Sequence, residues 1–309
     1  MTWDPPVESD DTGAFLGIRS PYNDEQKSRF FILPVPYDGC PSAGSATLAG
    51  PRSIIAASHR VEHFDEELWK DFGRVGICTL EEFLSTAPPQ EMVAALEQRV
   101  AGLLRVGKRP ILLGGDNAVS LGGVLGARRQ WPGLSVLQLA AHANLRDGAG
   151  QASHDLSSMA TRIAAECPLV QLGVRSLSEA EAGRADTGRV TTLMAGDVVA
   201  RDFPSQVVPL VTEALERRVW ISIEADVLDP ACFPAVERPE PGGLHFHQVC
   251  RVLQGVVEQK EVIGMDLVGT APGRERDASP YVAARLVYKF ICYSAQTLGL
   301  GPLKIGSGR

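Results

Sequence analysis

Two carboxylate side chains, Glu224 and Asp226, directly follow a strongly apolar run and stand two positions apart. In a strand, residues two apart project to the same face, so we expect the two carboxylates to lie together. Converging carboxylates either ligate divalent cations or transfer protons. Asp229 follows within the same segment, where its position before a proline predicts a turn.

Two further polar stretches follow apolar runs. Asp116 and Asn117 come after a Gly-Gly pair, which lets the backbone turn tightly. His142 and Asn144 follow another apolar run, and together with Ala140 they share one face if the strand conformation continues. Both stretches contain few ionisable groups. The sequence therefore leaves open whether this is a metal site or an acid–base site.

The elements that position these residues alternate between short apolar runs and longer amphipathic segments. We predict strands over residues 30–33, 75–78, 110–113, 134–139, 169–172, 190–193, 219–223 and 262–268. Helical spacing predicts helices over residues 90–106, 119–129, 157–166, 176–184, 204–217, 246–259 and 280–295. This alternation predicts an α/β fold in three layers, a mostly parallel eight-stranded sheet between helices. In such sheets ligands bind beyond the carboxyl ends of the strands, where all three polar stretches fall.

No linker or repeat divides most of the chain. The first 28 residues are polar and Pro-rich, so we predict an N-terminal arm over 1–28 and a single domain over 29–309. The loop 234–241 follows a predicted strand and is placed to contribute to a ligand site.

Composition excludes several classes of partner. A net charge of -7 argues against a nucleic-acid or anionic membrane surface. No apolar run reaches the roughly 18 residues needed to span a bilayer, and no secretory leader is recognisable. The six cysteines lack CxxC spacing and are expected to be reduced, so we expect a cytoplasmic protein. Its expected partners are a small-molecule ligand and other subunits.

The motifs resemble those of the arginase/agmatinase (ureohydrolase) superfamily, from about Leu33 to Leu300. Residues 113–120 resemble its Gly-Gly-Asp-His-Ser motif, and residues 140–144 resemble Asp-Ala-His-x-Asp. Residues 222–230 resemble Ser-x-Asp-x-Asp-x-x-Asp-Pro, and residues 239–244 resemble the Pro-x-Pro-Gly-Gly-Leu tail that follows it. The resemblance implies the arginase-like form of the three-layer fold.

Two further likenesses bear on single residues. His154 follows Ser153 as in the family's Ser-His pair, whose imidazole relays protons. Arg175 resembles the arginine of a Gly-Ile-Arg motif, and we expect it to be either a salt-bridge partner in the core or an anchor for an anionic substrate.

The resemblance also implies six ligands that hold two Mn²⁺ ions and activate a hydroxide, yet most of them differ here. Asn117 stands where the resemblance implies a His, and Glu224 stands where it implies an Asp. Ala140 and Asn144 stand where it implies the two Asp ligands of the second motif. The Glu that faces the substrate guanidinium in the family is replaced by Gly269. We therefore expect no di-manganese cluster and no cofactor. A single divalent ion, Mn²⁺ for instance, stays open on His142, Glu224 and Asp226.

The candidate residues follow from these comparisons. The candidate catalytic residues are His154, His142, Asp226, Glu224 and Asp116. The candidate substrate-binding residues are Asn117, Asn144, Arg175, Glu237 and Arg238. Without metal ions, the buried carboxylates should repel one another, which should raise at least one pKa into a range useful for proton transfer. Asp116 has a simpler interpretation as the cap of the helix that follows it.

Three functions remain open. In the first, the chain is a repurposed enzyme that acts by acid–base chemistry on a small guanidino, amidino or amide-like compound. In the second, it is an inactive paralogue that assembles with or regulates a partner. In the third, it is an agmatinase-like hydrolase with an unusual metal site. The changed residues Glu237 and Arg238 suggest a remodelled or blocked mouth of the site. Family likeness alone predicts a homo-oligomer, a trimer or hexamer.

Overall fold

All eight runs predicted as strands pair in one central sheet. The computed structural model describes residues 13–39, 46–147, 156–273 and 277–303. The sheet strands are β1 (Phe30–Val35), β4 (Ile77–Thr79), β5 (Arg109–Gly114), β6 (Leu134–Leu139), β7 (Leu169–Val174), β8 (Val190–Met194), β9 (Arg218–Glu224) and β10 (Glu261–Val268). Their spatial order is β4-β1-β5-β10-β9-β6-β7-β8, and each of these pairings is parallel. The predicted fold class is confirmed.

Helices cover both faces of the sheet. They are α1 (Gly50–Ser58), α2 (Pro89–Arg105), α3 (Ala118–Gln130), α4 (Met159–Glu166), α5 (Glu179–Ala182), α6 (Ala195–Val198), α7 (Val208–Ala214), α8 (Phe246–Gln259) and α9 (Ser279–Thr297). One apolar cluster packs α1, α7, α8 and α9 against the sheet, and a second packs α2, α3 and α4 against its other face. Within β1, Ile32 belongs to the first cluster and Leu33 to the second, as strand alternation requires.

Helix prediction failed where proline or a short sequence signal intervened. The predicted helix 204–217 begins as a π-helical turn, Phe203–Val207, and continues as α7 to Ala214. Pro204 and Pro209 lack the backbone N–H that one continuous helix over this range would need. The predicted helix 176–184 shortens to α5, which is capped by Ser178. Helix α1 was not predicted, although Pro51 in its first turn is a typical start signal.

A small antiparallel hairpin also escaped prediction. It pairs β2 (Phe64–Asp65) with β3 (Lys70–Asp71). The hairpin is held by Lys289 of α9, which is 1 % exposed and lies 2.9 Å from Asp65 Oδ2. Such short strands carry too little period-2 pattern to be found from sequence.

The described part of the N-terminal segment packs closely on the domain. Phe15 is fully buried, its N–H donates to Thr79 Oγ1, and the N–H of Leu16 donates to Ser58 Oγ. The predicted boundary between arm and domain at residue 28 stays a prediction. In the described ranges, no helix combines the length and apolar character that crossing a membrane would require.

Candidate functional site

The predicted polar stretches meet at the carboxyl ends of β5, β9 and β6. A cavity with a volume of about 60 Å³ lies there. It is lined by Thr47, Gly115, Asp116, Asn117, Glu224, Ala225, Asp226, Val236, Glu237, Arg238, Val268 and Gly269. The stretches meet because parallel strands present their carboxyl ends at one edge of the sheet; that they form a functional site stays a prediction.

Strand alternation does not itself account for the grouping. Strand β6 ends at Leu139, so Ala140, His142 and Asn144 do not continue it; His142 forms an isolated bridge with Ser176, and Asn144 has a φ of 51°. Strand β9 ends at Glu224, and Asp226 lies in the following 3-10 turn. Glu224 and Asp226 nevertheless line the same cavity.

The carboxylate of Glu224 is held by amide groups. Gln138 Nε2 donates to its Oε1 at 2.6 Å, and Asn144 Nδ2 lies 3.3 and 3.1 Å from Oε1 and Oε2. Asn117 contributes another side-chain hydrogen bond. Both carboxylate oxygens therefore accept N–H donors. Sequence analysis missed Gln138, which is fixed in turn by a bond from Gln171 Nε2 to its Oε1 at 2.8 Å.

The pKa of the Glu224 carboxyl is raised, as expected, but burial and not repulsion between carboxylates is the main cause. Burial raises its pKa to about 8, the charge of Asp226 adds to the rise, and Arg238 and the amide donors act in the opposite sense. Burial also raises the pKa of Asp116 to about 6, against hydrogen bonds from the backbone N–H groups of Gly39 and Ala118.

His142 and Asp226 form a direct pair. His142 Nδ1 lies 2.7 Å from Asp226 Oδ2, and the backbone N–H of Ala141 donates to Asp226 Oδ1 at 3.0 Å. Because an ionised carboxylate only accepts hydrogen bonds, Nδ1 carries the hydrogen and Nε2 is left to exchange a proton. Nε2 lies 3.5 Å from Glu240 Oε1. Glu240 was not predicted as a site residue, although it belongs to the motif over 239–244.

Asp116 fixes two backbone segments. Its Oδ1 accepts the N–H of Ala118 at the start of α3 at 2.9 Å, and its Oδ2 accepts the N–H of Gly39 at 2.6 Å. These bonds agree with the interpretation as a helix cap. A catalytic role for Asp116 stays a prediction.

The guanidinium of Arg175 has a structural environment that sequence analysis did not anticipate. It donates to the main-chain oxygens of Gly173, Asp226, Val227, Leu228, Glu240 and Pro241. The shortest of these bonds, from Nη2, are 2.6 Å to Glu240 and 2.8 Å to Asp226. Arg175 therefore joins the end of β7 to two loops of the site, and its substrate-binding role stays a prediction.

Asp229 forms the turn that its position before Pro230 predicts. Its Oδ1 accepts the N–H of Ala231 at 2.9 Å, and its Oδ2 accepts the N–H groups of Gly242 and Gly243 at 2.8 and 3.0 Å. The loop containing Glu237 and Arg238 is thereby tied at both ends.

A second cavity of about 240 Å³ adjoins the site. It is lined by His142, Asn144, Arg146, Ser157, Ser176, Leu177, Ser178, Glu181 and Arg238. Glu237 and Arg238 line the first cavity, so both predicted loop residues reach the site. His154, predicted as a catalytic residue, lies outside the described residues.

A buried carboxylate beneath the site was also missed. Asp266 of β10 is fully buried and accepts hydrogen bonds from Ser120 Oγ, Trp220 Nε1 and Ser222 Oγ at 2.6, 2.6 and 2.8 Å. Burial raises its pKa to about 6, against these three hydrogen bonds. Its role is to tie β10 to β9 and α3.

Over the residues described, no group of three or more His, Cys, Asp or Glu side chains is arranged to hold a metal ion. The expectation about metal ions stays a prediction.

Comparisons with known proteins agree with the fold and the motifs. The model of the arginase family matches residues 28–292. The chain is 34 % identical over 268 residues to the N(1)-aminopropylagmatine ureohydrolase of Thermus thermophilus, covering 86 % of this chain and 90 % of that protein. It is 28 % identical over 287 residues to an agmatinase of Halalkalibacterium halodurans, covering 90 % and 95 %. Among solved structures, the agmatine ureohydrolase of Thermoplasma volcanium superposes with a TM-score of 0.80 at 23 % identity, covering 91 % and 94 %.

Proposed function

The chain belongs to the arginase family, and we propose that it acts on a small guanidino, amidino or amide-like compound by acid–base chemistry without a pair of metal ions. The observation that carries this proposal is the His142–Asp226 pair, 2.7 Å apart at the edge of an acidic cavity. Asp226 fixes the imidazole so that Nε2 exchanges the proton. Both residues belong to the stretches expected to carry chemistry.

The charge of the cavity supports a cationic ligand. Asp116, Asp226 and Glu237 line it against a single basic side chain, Arg238, whereas Glu224, whose pKa is raised to about 8, adds its negative charge only as the pH rises. Low-dielectric walls lined by charges of one sign concentrate ligands of the opposite sign. A guanidinium or amidinium group is planar, cationic and rich in N–H donors, so it matches carboxylate acceptors.

The donor set supports independence from a metal pair. A two-metal site needs several charged oxygen and imidazole ligands that converge. Here Ala140 offers no ligand atom, and Asn117 and Asn144 use their amide groups to donate to Glu224. An ion bound to Glu224 would have to displace these donors. The side chains therefore do not fit a di-manganese centre.

A substrate screen tests the proposal. Guanidino, amidino and amide compounds are incubated with chelator-treated and with Mn²⁺-loaded protein, and release of the nitrogenous product is measured. We expect turnover in the presence of chelator. His142→Ala should lower kcat by at least about 100-fold, since general acid–base catalysis contributes about 10²–10⁴. Arg217→Ala is the control, because its side chain is 84 % exposed, lies 3.7 Å from Glu261 Oε2 and lines neither cavity. Turnover that occurs only with added Mn²⁺ would contradict the proposal.

One observation favours an inactive regulatory paralogue as a second candidate. Glu237 and Arg238 line a cavity of only about 60 Å³, which leaves little room for a ligand unless the loop moves. If no compound in the screen is turned over or bound, this candidate gains support.

The names of the relatives favour an agmatinase-like hydrolase as a third candidate. The relatives compared are named as an N(1)-aminopropylagmatine ureohydrolase and an agmatinase. We place this candidate last, since it requires metal chemistry from the altered ligand set. Mn²⁺-dependent turnover in the screen would support it.

We also propose that the protein acts in the cytoplasm as a homo-oligomer, a trimer or hexamer. The cysteines Cys78, Cys167, Cys232, Cys250 and Cys292 are free, as a reducing compartment would keep them. Light scattering coupled to size-exclusion chromatography tests the oligomeric state.

A further inference from the structure

Arg238 separates the two cavities of the site. Among the described residues it is the single one that lines both the cavity of about 60 Å³ and the cavity of about 240 Å³. Arg238 therefore lies on the boundary, or partition, between the two cavities.

The partition divides groups that the proposed chemistry uses together. Glu224 and Asp226 face the first cavity, whereas His142 faces the second. Asp226 and His142 are nevertheless bonded to each other, at 2.7 Å. Among the described residues, Arg238 lies on the boundary between the carboxylates of the first cavity and the imidazole of the second.

The side chain of Arg238 is weakly held. It is exposed, and in the described part of the chain no hydrogen bond or ion pair fixes its guanidinium. Burial raises the pKa of the Glu224 carboxyl, and the positive charge of Arg238 acts in the opposite direction, which places the guanidinium within electrostatic range of that carboxyl. The contact is one of charge and not of directional bonds, so moving the side chain breaks no hydrogen bond.

The wall of the first cavity is open at Gly269. A Cβ atom added at Gly269 would have only Ala225 N within 4 Å, at 3.8 Å. No side chain competes there with a planar cation. The cavity thus has acidic lining residues, open space at Gly269 and a single guanidinium group, that of Arg238.

We propose that Arg238 is a gate whose guanidinium stands in the place of a ligand cation, and that a small guanidinium or amidinium ligand binds by displacing it. This inference rests on the proposed function, since it specifies the cation class and adds control of access. If the closed position holds about nine-tenths of the molecules, the apparent affinity is about tenfold weaker than that of the open site.

The test is calorimetric titration of the full-length protein with methylguanidinium and with acetamidinium. Arg238→Ala should tighten binding about tenfold, because it removes both the bulk and the charge of the gate. Arg238→Met keeps the length of the side chain and removes the charge, so its gain should be smaller. Arg146→Ala removes a cation from the second cavity without opening the partition, so its affinity gain should be smaller than that of Arg238→Ala. Thermal unfolding of each variant checks that the fold is unchanged.

The outcomes separate the gate from the proposed reaction. Equal affinity gains in Arg238→Ala and Arg146→Ala would mean that Arg238 acts only through its charge, which would overturn the gate. The absence of any gain in Arg238→Ala would overturn it as well. A gain specific to Arg238→Ala supports the gate even if His142→Ala leaves turnover unchanged, a result that would refute the proposed acid–base role alone.

Discussion

Replacing Arg175 tests whether this side chain builds the site or binds a ligand. In the structure its guanidinium donates only to main-chain oxygens, of which those of Glu240 and Asp226 are the closest, at 2.6 and 2.8 Å. These bonds hold the loop that places Glu240 beside His142 Nε2. A lysine has one nitrogen in place of three, so it loses the bonds that Nε and Nη1 of Arg175 make to Gly173, Val227 and Pro241.

The size of the effect follows from these bonds. A hydrogen bond to a charged group contributes about 1.5–3 kcal/mol, and Arg175 makes two short ones and several longer ones. Because the side chain is half-buried, part of this is recovered from water. We expect Arg175→Ala to lower the free energy of unfolding by about 2–4 kcal/mol and Arg175→Lys by about half as much.

Urea denaturation at constant pH measures these changes through the transition midpoint. Arg146→Ala is the matched control, since an exposed ion pair contributes about 0–1 kcal/mol. The reasoning would be refuted if Arg175→Ala left the midpoint unchanged while abolishing ligand binding. That result would mean that Arg175 contacts the ligand and not the backbone.

Two further predictions concern buried ionisable groups that do not line the cavity. Lys289→Met should lower the free energy of unfolding by about 3–5 kcal/mol, because Asp65 is then buried without its partner. Adding Asp65→Asn to this variant should restore part of the lost stability. Calorimetry of the single and double variants checks this prediction, and additive losses would contradict it. Asp266 has a pKa raised from 3.8 to about 6, so the folded state binds its proton more tightly than the unfolded state, and this residue's contribution to stability falls as pH rises from about 4 to about 6. The stability of Asp266→Asn relative to the unmodified protein should therefore increase by about 2 kcal/mol between pH 4 and pH 7, and a difference that does not change with pH would contradict this account.

The strands were predictable because each is a short apolar run with clear ends, and helix α8 was predicted at its observed bounds. The parallel sheet then brought Asp116, His142 and Glu224 to one edge, which is a consequence of topology alone. Local pattern sufficed for these features.

The finer contacts depend on loop conformations that no local pattern encodes. Glu240 reaches His142 only because Arg175 and Asp229 fix the intervening loop. The donor role of Gln138 requires that strands β6 and β9 pair in register, so that its amide meets Glu224. These partners are far apart in sequence, and only the folded chain places them together.

The metal content of the protein tests the central claim most directly. The protein is purified without chelator, incubated with Mn²⁺, desalted and analysed by inductively coupled plasma mass spectrometry. The matched control restores the family ligands through Asn117→His, Ala140→Asp, Asn144→Asp and Glu224→Asp in one chain. We predict well under one Mn²⁺ per chain in the unmodified protein and a higher content in the restored variant. Two Mn²⁺ per chain in the unmodified protein would contradict the account.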